Sequence, residues 1–226
     1  MKISLLSLLV LLFLPFSAGA EPLQEAYIPL FAEYFSEKIP SKSVLPVIEG
    51  TEEELRSGKI PLLTLCVEDA SVEGVLYDRL LLVLKDVLFS VDKGGVRLHS
   101  YSGYKLSGSI PGASFRSTLE KNMPRFTLTE LELQGGTVMV KGVYERKMTF
   151  TIRALLRLRG KYVIEKNGKA TIRFDESTND NALISAADVG RALAKAAPVL
   201  SFSSFFGKPS VTEVRVDHGM IWFSAK

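Results

Sequence analysis

Hydrophobic positions change their period along this chain, dividing it into a helical start and a strand-rich remainder. Leu23, Tyr27, Leu30, Phe31, Tyr34 and Phe35 recur at helical spacing, with Glu25, Glu33 and Glu37 between them. Pro29 predicts a kink or a restart in this helix, and Pro40 ends it. Thr51-Glu52-Glu53-Glu54 has the spacing of a capping box and predicts a short second helix closed by Gly58. Leu76 to Val91 fits two readings. Leu76, Leu80, Val83, Leu84, Val87 and Val91 share a helical stripe, whereas Leu80, Leu82 and Leu84 suit a strand buried on both faces.

From Gly135 onward the period is two. Thr137 to Tyr144 reads as a strand after a Gly-Gly turn. Met148, Phe150, Ile152, Ala154, Leu156 and Leu158 then alternate with Thr149, Thr151, Arg153, Leu155, Arg157 and Arg159, which predicts a long strand from Met148 to Arg159. Asn167-Gly168 is a hairpin signal that places Tyr162 to Lys166 opposite Lys169 to Phe174. Ile172 and Phe174 extend the apolar face, while Arg173 and Lys169 extend the polar one. Ser185-Ala186-Ala187-Asp188 opens a further helix whose buried stripe is Val189, Leu193 and Ala196. Val211 to Val216, a turn at Asp217-His218-Gly219 and a last strand from Met220 to Ser224 close the chain. Helices packed on one long antiparallel sheet make an α+β domain, expected to be single and to span residues 21–226.

The first twenty residues read as an address. Lys2 precedes an apolar run from Leu5 to Leu14, Pro15 breaks it, and Ala18-Gly19-Ala20 offers small residues for cleavage after Ala20. A membrane span needs about twenty apolar residues, so a cleaved signal peptide is favoured over a retained anchor. The expected compartment is periplasmic or secreted. The single cysteine, Cys66, cannot form an intramolecular disulfide, and its apolar neighbours predict a place in the core. A formal charge of +3 is too small to advertise nucleic-acid binding.

Catalytic chemistry finds little support. There is no G-x-S-x-G, P-loop, G-x-G-x-x-G or H-E-x-x-H pattern. Asp217-His218 suits a tight turn, His99 a strand surface, and the acidic and amide run Asp175 to Asn181 a solvated loop lacking calcium-loop order. No cofactor or metal is expected. The most informative feature is the two-faced strand. Arg153, Arg157, Arg159 and Arg173 could meet anionic head groups, at about 1 kcal/mol per basic residue near such a surface. A solvated outer face is the plainer alternative, and the apolar face opposite is ordinarily a core.

The order of several segments resembles a known family. Leu55-Arg56-Ser57-Gly58-Lys59 precedes strand-like Ile60 to Glu68 and Leu80 to Phe89. Then come Leu131-Glu132-Leu133-Gln134-Gly135-Gly136-Thr137-Val138-Met139-Val140-Lys141-Gly142, Ala197-Pro198-Val199-Leu200-Ser201-Phe202 and Val211 to Phe223. This order is similar to the LmeA-like family of bacterial envelope proteins, formerly a domain of unknown function and now described as phospholipid-binding. The resemblance covers most of the chain beyond the leader. It implies a non-enzymatic, exported protein whose curved sheet and helices enclose a hydrophobic groove, with Leu80 to Phe89 as a strand. On that reading Phe150, Ile152, Leu156, Leu158, Ile172 and Phe174 line the groove. Arg153, Arg157, Arg159 and Arg173 face head groups or the membrane, and the partner is a phospholipid or another envelope lipid. The alternative is an envelope structural or adaptor protein that holds a protein partner through its sheet; a hydrolase fits least, given two histidines.

Overall fold

The computed structural model describes residues 23–147 and 149–226. The predicted leader and Met148 lie outside them. Helix α1 (Leu23–Ser36) is followed by β1 (Ser43–Glu49), α2 (Glu52–Arg56), β2 (Lys59–Val72), β3 (Val75–Asp92), β4 (Gly95–Ser100) and β5 (Gly103–Pro111). Next come α3 (Gly112–Asn122), β6 (Phe126–Gln134), β7 (Thr137–Lys147), β8 (Thr151–Ile164), β9 (Ala170–Asn179), α4 (Ala186–Ala196), β10 (Val211–Asp217) and β11 (Met220–Ala225). The fold is α+β, and every strand pairing is antiparallel.

The strands form two sheets rather than the one long sheet expected. The large sheet has seven strands in the order β1-β2-β3-β5-β11-β10, with β4 also on β3; the small one has four, β6-β7-β8-β9. Strand β3 settles the ambiguity at Leu76 to Val91. Its 18 residues are a spine that pairs with β2 along one edge and with β5 and then β4 along the other. A central strand hydrogen-bonded on both edges, with apolar residues on its uncovered outer face as well as its buried one, carries a near-continuous apolar run that periodicity alone cannot separate from a helix.

Local chemistry explains most element ends. Thr51 accepts from the Glu54 N–H and the Glu54 carboxylate accepts from the Thr51 N–H at 2.8 Å, completing the capping box of α2. Ser185 caps α4 by accepting from the Asp188 N–H at 3.3 Å. His218 and Gly219 both have positive φ, 51° and 75°, the two-residue turn whose twist suits a hairpin between β10 and β11. Helix α1 runs through Pro29 without restarting. Pro29 is on the exposed side, where water can take the carbonyl that proline leaves unbonded.

One buried cluster draws residues from both sheets and all four helices. Helix α1 lays Phe31 and Phe35 on the large sheet, where Tyr27 and Phe31 meet Phe89 edge-on at 5.2 and 5.3 Å. Phe202 stacks on Phe223 at 5.0 Å beside the fully buried Tyr77. Main-chain bonds join the sheets at one corner: Gly136 N–H donates to the Val216 carbonyl and Gly219 N–H to the Leu133 carbonyl, at 2.8 and 2.9 Å. Gly108 lets β5 lie close against β3. A Cβ there would lie 2.5 Å from the Arg79 carbonyl oxygen, so only glycine permits this approach of β5 to β3. Among the described residues, no helix is long and apolar enough to cross a membrane.

Candidate functional site

Strand β8 has the alternation expected of it, but its two faces do not meet the surroundings foreseen. Ile152, Leu156, Leu158 and Ile172 are buried and Phe174 is half-buried, packed in or against the common core. Helix α4 sits directly on two of them: a Cβ on Gly190 would lie 3.0 Å from Leu158 Cδ2 and 3.8 Å from Phe174 Cβ. Val189, Leu193 and Ala196 complete that contact as the α4 stripe predicted. These side chains are core. Phe150 is a correction: it is 64% exposed and precedes β8, which begins at Thr151. Lys147 pairs with Thr151, so Phe150 belongs to the β7–β8 connection and the apolar alternation overruns the strand.

The opposite face of β8 carries its arginines outward, all exposed, but among carboxylates supplied by neighbouring strands. Arg153 Nε lies 2.7 Å from Glu145 on β7, and Arg159 faces Glu176 on β9. Arg157 donates to Met139 Sδ at 3.3 Å and faces Lys141, which reaches Glu130 at 3.6 Å. Arg173 is opposite Lys161. The surface is a mixed lattice of both signs, whereas the β8 sequence alone displays only cations.

The acidic and amide run is a further correction: Asp175, Glu176 and Asn179 belong to β9 rather than to a solvated loop, and only Asp180 and Asn181 follow the strand. Asp180 accepts from the Leu155 N–H at 2.8 Å, and Asn181 donates to the Arg153 carbonyl at 3.0 Å. His99 is exposed and bonded to Ser90 Oγ at 2.9 Å.

The outer face of the large sheet was not foreseen. Cross-strand pairing sets Leu45, Cys66, Leu81, Ser107, Ser224 and Glu213 in one row. The next row has Val47, Thr64, Val83 and Lys105, and the row on the other side has Arg79, Ser109, Trp222 and Arg215. Leu45, Val47, Leu81 and Trp222 are 54%, 53%, 38% and 40% exposed, so an apolar band crosses the sheet uncovered. Where the small residues of β5 and β11 pass beneath it, the face sinks into a trough. Two cavities of about 340 Å³ each lie there, both bordered by Ser224. Cys66 is a third correction. It is half-buried in the middle of this outer face, because Leu65 and Val67 take the inward positions on either side of it.

A third recess, of about 540 Å³, opens between the β2–β3 turn, α3, α4 and the segment after α4. At its edge Glu73 ties the turn to residues 203 and 204. Ser203 Oγ, Ser204 N–H and Ser204 Oγ each donate to Glu73 Oε1 at 2.9 Å. Partial burial pushes the Glu73 pKa up, but these donors and the nearby Ser201 hydroxyl outweigh it and hold the carboxyl at about 2. Because the folded value lies below the ordinary 4.5, the stabilisation is complete above that pH and fades as pH falls toward 2. Glu73→Gln should therefore lower the melting temperature at pH 7, and the gap from wild type should close by pH 2. A gap independent of pH in thermal melts would assign the loss to packing instead.

The class defined by these features is an α+β protein of two antiparallel sheets with a filled interior and an uncovered, trough-bearing outer face. Compared with known protein families, curated proteins and solved structures, the chain matches none.

Proposed function

We propose that this is an exported, non-enzymatic lipid-binding protein of the bacterial envelope, as its resemblance to the LmeA-like family implies. We further propose that the acyl chain lies in the outer trough of the large sheet. The observation that carries this reading is the uncovered band from Leu45 through Leu81 to Trp222, with small residues flooring the trough beside it. An exposed apolar band on a folded protein marks a contact surface.

The dimensions suit a lipid. From Gly103 to Ser109 strand β5 runs about 20 Å at roughly 3.3 Å per residue. One leaflet's share of a hydrocarbon core is about 15 Å. At one end Arg79 and Arg215 flank the trough in the Trp222 row, suited to a phosphate, and Lys85 and Lys105 stand toward the other. Glu49, Glu68 and Glu213 share the same outer face, so the net attraction is small and apolar contact dominates. Pro46 in the edge strand β1 lacks the N–H that strand addition would use, which disfavours a protein partner docking by β-augmentation.

Mass spectrometry of the protein extracted from its native envelope should find bound phospholipid; a lipid-free protein would overturn the reading. Cys66 offers a built-in reporter. Its alkylation by a maleimide should slow several-fold when phospholipid vesicles are added, and an unchanged rate would exclude the outer face as the contact.

A further inference from the structure

The recess between α3 and α4 has a composition that the lipid reading does not use. Lys121 from the last turn of α3, Lys195 from the last turn of α4 and Lys169 from the β8–β9 hairpin all line it. None of the three makes an ion pair among the described residues. The one acid on its wall, Glu73, has an oxygen already occupied by three donors from Ser203 and Ser204. Lysines in a last helical turn are favoured by the helix dipole, which accounts for Lys121 and Lys195 singly. It does not account for Lys169, which is half-buried and on no helix, nor for their convergence on one recess.

A second observation points to a ligand. Ser201 lines the same recess at 3% exposure; its hydroxyl lies close enough to Glu73 to help hold that carboxyl down, yet its Oγ makes no well-formed hydrogen bond. A buried hydroxyl left without a well-formed bond is costly, and an acceptor arriving in the recess would give it one. The walls are held in place: Asn122 Nδ2 donates to the Ala196 carbonyl at 3.0 Å, and the Tyr162 hydroxyl to the Pro198 carbonyl at 2.9 Å. The volume falls within the range of small-molecule sites, roughly 300–1,000 Å³.

We propose that this recess binds a phosphate-bearing anion, its oxygens held by Lys121, Lys169 and Lys195 and by the Ser201 hydroxyl. Ammonium groups and a hydroxyl donor are the complement of a phosphate, which offers several acceptor oxygens and more than one negative charge. Val75, Leu76 and Pro198 in the same lining would accommodate an uncharged remainder. The site is independent of the outer trough and stands or falls without it.

The test uses isothermal titration of the full exported chain with inorganic pyrophosphate, and flotation with phosphatidylcholine vesicles with and without phosphatidic acid. Pyrophosphate binding, or a gain in vesicle binding that requires phosphatidic acid, is expected of the wild type. Replacing Lys121, Lys169 and Lys195 together by Gln should weaken it by about tenfold or more, equivalent to about 1.4 kcal/mol. Ser201→Ala should weaken it less, and both variants should melt with the wild type. Pyrophosphate alone would identify a soluble phosphate as the ligand, and phosphatidic acid alone a lipid head group. Equal binding by the triple variant and wild type, or no binding of either probe by the wild type, would overturn the site. Leu81→Asp, which blocks the outer trough, should leave pyrophosphate binding unchanged, so failure of the trough and failure of the recess read out separately.

Discussion

Leu156→Asp is expected to unfold the protein, while Phe150→Asp leaves it folded and nearly as stable as the wild type. Leu156 is fully buried, opposite Gly142 on β7 and Asn179 on β9. Truncating such a leucine to alanine already costs about 2–5 kcal/mol. A carboxylate adds the cost of a buried polar group without a partner, or of the proton needed to neutralise it. Set against a typical stability of about 5–15 kcal/mol, that sum leaves little or nothing. Phe150 is 64% exposed in a hairpin turn, and changes at such sites stay within about 0.5 kcal/mol. Thermal melts followed by circular dichroism separate the two outcomes. A folded Leu156→Asp that had lost lipid binding would return the apolar face of β8 to the role of a groove.

That contrast shows where a single sequence carries structure and where it does not. Turn chemistry was legible because it is local. Asn167-Gly168 closes the β8–β9 hairpin as expected, although Glu165 meets Lys169 across three residues and the register is one residue off a two-residue turn. A capping box opens α2, and a Ser185 cap opens α4. Helix α3 passed unnoticed for the same reason. It begins after Pro111 with no side-chain cap, and its buried stripe is little more than Phe115 and Leu119.

The surfaces were less legible than the elements. Alternation along β8 reveals which residues share a face, but not which strands stand beside it. Glu145, Glu130 and Glu176 turn an apparent cationic patch into a mixed lattice, and they arrive from three other strands. The trough is further from view still. Its row of Leu45, Cys66, Leu81, Ser107 and Ser224 exists only through the register of β1, β2, β3, β5 and β11. Cys66 looked like core because its sequence neighbours are apolar, yet in a strand the immediate neighbours point to the other face.

Replacing Leu81 by Asp and Trp222 by Glu together is expected to abolish phospholipid binding in a protein that still folds. Both side chains are more than one-third exposed, so their loss removes only part of a hydrophobic contribution, about 1 kcal/mol at each site. Melting should shift by a few degrees. Binding responds far more strongly, because two carboxylates would then face acyl methylenes that cannot solvate them. Vesicle flotation should fall by more than about tenfold, which corresponds to about 1.4 kcal/mol. Glutamines in place of Arg153, Arg157 and Arg159 are the matched control. Those arginines stand among carboxylates on the other sheet, away from the trough, so flotation should be nearly unchanged. Salt separates the mechanisms again. Screening shortens electrostatic reach to about 8 Å at physiological ionic strength and about 3 Å at 1 M. Contact through the apolar trough should survive that change, whereas contact through the arginine face should not. If the arginine variant loses binding and the Leu81 and Trp222 variant keeps it, the lipid lies on the small sheet and the trough assignment is wrong.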